Sequence, residues 1–154
     1  MDRHKISLNS LKKLLSNFSS LKVCVIGDLI IDEYISCQPL GMSQEDPTLV
    51  ITPIDSTQFV GGAGIVAAHS AGLGASVNFI TIAGEDVLQK FALDQFARFG
   101  VNAKIILDDS RKTTLKQRFR SRGKTLLRVN NLNQGSISQN VQNKLLEADK
   151  SLPI

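Results

Sequence analysis

Tryptophan is absent, Tyr34 is the sole tyrosine, and aromatic residues make up 5% of the 154-residue chain. Surfaces that bind single-stranded nucleic acid need rings on which bases stack. Only Phe119 interleaves with the basic residues here, so nucleic acid is not an expected partner. Cysteine is limited to Cys24 and Cys37, whose spacing fits neither a zinc site nor a redox CxxC pair; two reduced thiols in the cytoplasm are expected. No apolar run is long enough to cross a membrane. Within the first 20 residues, Leu8, Leu11, Leu14, Leu15 and Phe18 recur at helical spacing around Lys12 and Lys13, which describes an amphipathic helix rather than a signal core. P-loop and GxSxG patterns are also missing. His4 and His69 lack ligand spacing and carboxylate neighbours, so no metal site and no histidine base are expected.

What is present is ordinary globular composition, 42% hydrophobic and 21% charged, with a net charge of +4. That small excess suits anionic small molecules such as sugar phosphates and nucleotides. Lys22–Asp28 is an apolar run ending in glycine and aspartate, the pattern of a strand buried on both faces of a parallel sheet. From Leu29 to Val60, short β-prone pieces (30–35, 48–53 and 58–60) are broken by Pro39, Gly41, Pro47 and Pro53, as in exposed hairpins. A glycine-opened helix over 61–75 follows, then a strand over 77–82. Asp86 and Gln89 form a capping box for a helix that buries Leu88, Phe91, Ala92, Phe96 and Phe99 and ends at Gly100. With a further strand at 103–107, the order β-α-β-α-β predicts an α/β fold. Two strand-like runs flanking Ser121–Lys124 predict a second hairpin over 113–130, and a last helix spans 138–152. Because the chain stops where an α/β chain would begin its next strand, an incomplete domain is expected: residues 21–154 as part of a sheet-and-helix unit, with a small β lid made from hairpins at about 30–60 and 113–130.

Three constellations can carry chemistry. Asp28 and Asp32 follow the first strand, at the end where open α/β sheets bind ligands. Ionised carboxylates there can accept hydrogen bonds from sugar hydroxyls; equally, Asp28 could cap a turn and Asp32 could be solvated. Gly61, Gly62 and Gly64 permit close backbone approach of a ligand at a helix N-terminus. The run from Gly62 to Ala67 also satisfies GxGxxA, so a dinucleotide module is an alternative, although the segment does not follow the first strand. Glycine for helix packing alone is another. Lys116, Arg118 and Arg120 alternate along one strand face, with Arg122, Lys124 and Arg128 beyond, a set able to grip phosphate or simply to keep a hairpin solvated.

Taken in order, Val25–Tyr34, Gly61-Gly62-Ala63 leading to Gly72–Ala75, and Arg118–Asn130 resemble the PfkB or ribokinase-type carbohydrate kinases, and within them the heptose 7-phosphate kinase subgroup. The resemblance implies a ribokinase-like three-layer α/β/α fold, of which this chain is the N-terminal portion, and ATP-dependent phosphorylation of a sugar or sugar phosphate, in the subgroup a heptose 7-phosphate for ADP-heptose and lipopolysaccharide core synthesis. It implies sugar-pocket roles for Asp28, Asp32, Gly61 and Gly62, and basic lid positions at Lys116, Arg118 and Arg128 facing a phosphorylated substrate. A homodimer formed through the lid is implied as well. ATP and Mg2+ are implied, but the Asn-x-x-Glu motif for magnesium and the Gly-Ala-Gly-Asp loop with the catalytic base belong beyond Ile154, so no catalytic residue is expected within these residues. The alternative is a noncatalytic sugar-phosphate-binding or dimerising remnant. Two positions depart from the subgroup: Ile65 stands where it has Asn, and Asn130 where it has Asp.

Overall fold

The computed structural model describes residues 7–150; His4 and the expected helical residues 1–6, 151 and 152 lie outside the described residues. Helix α1 (Leu8–Asn17) is capped by Ser7, whose hydroxyl accepts from the Ser10 N–H, and runs into a 3-10 turn at Phe18–Ser20. Its apolar stripe buries nothing among the described residues, and Leu8, Leu14 and Leu15 are half exposed.

Strands β1 (Lys22–Ile26), β4 (Ser76–Ala83) and β5 (Val101–Leu107) form a parallel sheet in the order β1-β4-β5. Alternation along the central strand explains the layers. Phe79 points to one face, where it packs in a core with Ala67 of α2 (Gly62–Gly72) and with Ala92 and Phe96 of α3 (Val87–Phe99). Ile80 points to the other and packs with Val141 and Ala148 of α4 (Gln139–Lys150). Both side chains are fully buried. The result is an α/β/α sandwich, as expected.

Strands β2 (Leu29–Met42), β3 (Leu49–Gly61), β6 (Thr114–Ser121) and β7 (Lys124–Asn131) form a second sheet in the order β3-β2-β6-β7. The two antiparallel pairs are joined by a parallel pairing of β2 with β6, from Ile30↔Thr114 to Ser36↔Arg120. The short pieces expected between Leu29 and Val60 are instead two long strands. The prolines are tolerated for positional reasons: β3 is an edge strand, and Pro39 lies beyond Ser36, where pairing with β6 has ended and an N–H is not required on that side. Bulges next to Cys37 and Pro39 absorb the irregularity. The β6–β7 turn is made by Arg122 (φ 47) and Gly123 (φ 79), the double positive φ of a tight hairpin.

Asp86 caps α3 by accepting from the Leu88 and Gln89 N–H groups at 3.1 and 3.0 Å, and its other oxygen accepts from the Thr113 N–H at 2.8 Å. The cap was legible; the reach to Thr113 was not. Gln89 is buried within the helix face, whereas Phe99, expected inside, is 43% exposed at the last residue of the helix. Burial opposes the charge on Asp86, but the bonds from Thr113, Gln89 and Leu88 outweigh it and hold the carboxyl below the ordinary carboxylate range. Its contribution is thus present above the unfolded-state value and lost as pH falls through the lowered folded one. Asp86→Ala removes the cap and leaves the Thr113 N–H without its acceptor, so we expect a loss of about 2 kcal/mol in chemical denaturation at neutral pH. The difference from the parent chain should shrink in acid.

Candidate functional site

Asp28 lies just past β1, and the chain turns there because the Ala63 N–H donates to its carbonyl oxygen, tying the start of α2 to the end of the first strand. Its side chain is exposed and lines a cleft of about 540 Å³ at the carboxyl ends of β1 and β4. Lys116 lines the same cleft, with Thr81, Arg111, Lys112, Asn133 and Gln134. Arg111 is held by Asp108, whose other oxygen accepts from the Ser110 hydroxyl at 2.6 Å and the Ser110 N–H at 3.0 Å. The Ser110 hydroxyl, more than any other contact, keeps the Asp108 carboxyl below the ordinary range despite its burial. The Arg111 charge is therefore largely spent on structure, and Lys112 and Lys116 are the cleft's outward cations. Thr81 is buried, and its hydroxyl has no hydrogen-bond partner among the described residues.

Asp32 is four residues further along, on β2, and opens onto a second pocket of about 670 Å³. Gly61, Gly62 and Ile65 line that pocket too, together with Tyr34, Phe59 and Arg120. Thus Asp32, Gly61 and Gly62 line one pocket, and Asp28 and Lys116 line the neighbouring cleft. The two are contiguous along the sheet, because Lys116 sits opposite Asp32 in the register, as Thr114 does opposite Ile30 and Arg118 opposite Tyr34. At the boundary, Arg118 Nη1 donates to Asp32 Oδ1 in a half-buried ion pair. The hydrogen bond to Asp32, opposed in part by burial, holds the Arg118 guanidinium above its already high ordinary value, so it stays charged at any working pH. Arg128 faces Arg118 across the β6–β7 hairpin and is exposed.

Both glycines are required by close approach. A Cβ on Gly61 would run into Asp32 Oδ2; one on Gly62, where φ is +57, would meet the Asp28 carbonyl oxygen at 2.6 Å. The glycine run follows the antiparallel strand β3 rather than β1, so it lacks the strand context of a dinucleotide fingerprint.

A model of the pfkB family of carbohydrate kinases matches residues 20–152. The chain belongs to this family. The bifunctional protein HldE of Bradyrhizobium diazoefficiens is 35% identical over 138 residues, which are 88% of this chain and 28% of that protein. The HldE of Nitrobacter winogradskyi is 40% identical over 107 residues, 68% of this chain and 22% of that protein. The chain therefore spans less than a third of the curated relatives it matches. Among solved structures, fructokinase from Xylella fastidiosa superimposes with a TM-score of 0.51 at 27% identity, over 71% of this chain and 33% of that one. The carbohydrate kinase from Agrobacterium tumefaciens shares the fold, with a TM-score of 0.55 at 18% identity over 71% and 35% of the two chains.

For a pfkB-family chain, the site holds residues that sequence reasoning passed over. Tyr34 and Phe59 meet edge to face at 5.8 Å, and the Arg118 and Arg120 guanidinium groups lie over the Tyr34 ring at 5.2 and 5.5 Å. The period-2 spacing of Lys116, Arg118 and Arg120 put all three on one face, but which of them would be neutralised had no local signal. Lys112, Asn133 and Gln134 come from irregular segments with no pattern to single them out. Among the described residues, no three His, Cys, Asp or Glu side chains cluster as a cation would need, and no helix is long and apolar enough to cross a membrane.

Proposed function

We propose that this chain holds the acceptor for ATP-dependent phosphorylation of a sugar or sugar phosphate. The single observation that supports the reading most is the Asp32 carboxylate, oriented by Arg118 and laid against the Gly61–Gly62 turn in an open pocket between the second sheet and the start of α2. A carboxylate so placed accepts from neighbouring sugar hydroxyls, while the bare glycine backbone lets a sugar ring approach. The second sheet acts as the lid, excluding water and orienting the acceptor hydroxyl. Heptose 7-phosphate is the acceptor suggested by resemblance to the heptose subgroup, with Lys116 and Arg128 free to meet a phosphate.

ATP supplies the transferred phosphoryl group when bound, and family membership supports its use. Among the described residues no three His, Cys, Asp or Glu side chains cluster into a dedicated metal cage. Use of ATP as the donor supports a cytoplasmic setting for this reaction.

Calorimetric titration with heptose 7-phosphate tests the reading: binding is expected for the parent chain and is expected to weaken about tenfold or more in Asp32→Ala, which removes a charge-assisted acceptor. Absence of binding, or equal binding by both, would overturn it. A dimerising role is the second reading, favoured by Leu40, Met42 and Ile54 of the β2–β3 hairpin, each more than 60% exposed; a concentration-dependent dimer in sedimentation that binds no sugar would favour it.

A further inference from the structure

The pocket that contains Asp32 has an apolar wall, Phe59 and Ile65, and beside it a cation that nothing neutralises. Phe59, a large ring on the edge strand β3, is 50% exposed. Of the arginines on that face, Arg118 is committed to Asp32. Arg120 is not committed to any carboxylate among the described residues. Its Nη2 donates to the Gly123 carbonyl oxygen at 2.9 Å, its guanidinium rests on Tyr34, and its buried Nε has no partner. Asp55 occupies the same cross-strand row, through Ser36, but makes no ion pair with it. A buried charged donor without an acceptor is rare in folded proteins and calls for an explanation. Here the side chain sits on a ring face next to a pocket it lines, so a modest swing would present a guanidinium fork to an anion inside.

We propose that Arg120 recognises the anionic group of the pocket's ligand, which is a phosphorylated sugar lying with its hydroxyl-poor face on Phe59 and Ile65. This rests on the acceptor-binding reading given above and assigns the anion contact to a different residue from Lys116, Arg118 and Arg128. Asp32 then takes hydroxyls at one end of the pocket and Arg120 takes the phosphate at the other, while Arg118 positions Asp32 and does not touch the anion.

The test is calorimetry on the whole chain with two probes, heptose 7-phosphate and the corresponding unphosphorylated heptose. Arg120→Gln is expected to weaken the phosphate ester about tenfold or more and the free sugar by less than about threefold, and Arg120→Lys to recover part of the loss. Thermal unfolding of both variants should match the parent, separating recognition from folding; should Arg120→Gln fail to fold, the Arg120→Lys comparison alone decides through the same ratio of the two probes. Equal weakening of both sugars, or a loss that appears in Lys116→Gln or Arg128→Gln and not in Arg120→Gln, overturns the assignment while leaving the acceptor reading intact. Failure of heptose 7-phosphate to bind the parent chain overturns both.

Discussion

Gly61→Ala is expected to abolish acceptor binding while leaving the chain folded. The added methyl would collide with Asp32 Oδ2 and come within 3.2 Å of its carboxyl carbon, yet its other close neighbour, the Ile30 carbonyl oxygen, lies at an ordinary 3.5 Å. The backbone at Gly61 is extended, so alanine suits its conformation. All of the conflict therefore falls on the Asp32 side chain, which must rotate away and release Arg118. The carboxylate keeps 22% of its surface exposed, so water replaces part of what the ion pair supplied, and stability should change by about 1 kcal/mol. Binding of a sugar phosphate, by contrast, should fall by more than the tenfold expected for Asp32→Ala, because the methyl also fills the space a sugar ring would enter. The measurement is again calorimetric, set beside a denaturation curve; a variant that binds normally would show that the carboxylate does not work from its position at this turn.

The largest expected effect on stability is at Phe79. Its ring is fully buried on the central strand, 5.1 Å from Phe96, and serves as the joint between α2, α3 and the sheet. Phe79→Ala leaves a cavity that strands and helices cannot easily collapse to fill, so a loss of about 3–5 kcal/mol is expected. For a chain of this size that corresponds to a fall in Tm of roughly 10 °C or more. Much of a marginal stability would then be gone. A change of only a few degrees would mean that α2 and α3 repack against β4, and that the core is looser than its burial implies.

Features set by neighbouring residues were readable in advance. The α/β order, the Asp86 cap, the left-handed Gly100 at the end of α3 and the turn at Arg122-Gly123 all follow from local preferences of a few consecutive residues. The extent of β2 and β3 was not readable, because prolines that forbid a central strand are harmless on an edge, and edges are defined by the whole sheet. The site divided along the same line. The family resemblance grouped Asp28, Asp32, Gly61 and Gly62, and of these Asp32, Gly61 and Gly62 line one pocket while Asp28 lines the cleft beside it. That Arg118 is taken by Asp32 depends on the pairing of β2 with β6, for which no stretch of sequence carries a sign. Phe99 shows the opposite error: helical period assigned it to the buried stripe, but at the end of α3 it remains 43% exposed.

That same β2–β6 pairing bears on how the chain reaches its native state. Glu33 and Gln117, bonded at 2.8 Å across the two strands, are 84 residues apart in sequence. Everything between them, from β3 through β5, closes as one loop before the pair can form, and closing long loops is slow because entropy is lost before contacts repay it. On this ground the β4-α3-β5 unit, with its short connections, is expected to form early and the four-stranded sheet late, an order that pulsed hydrogen exchange during refolding would check. The pocket around Asp32, which spans the β2–β6 junction, would then be among the last parts of the molecule to form.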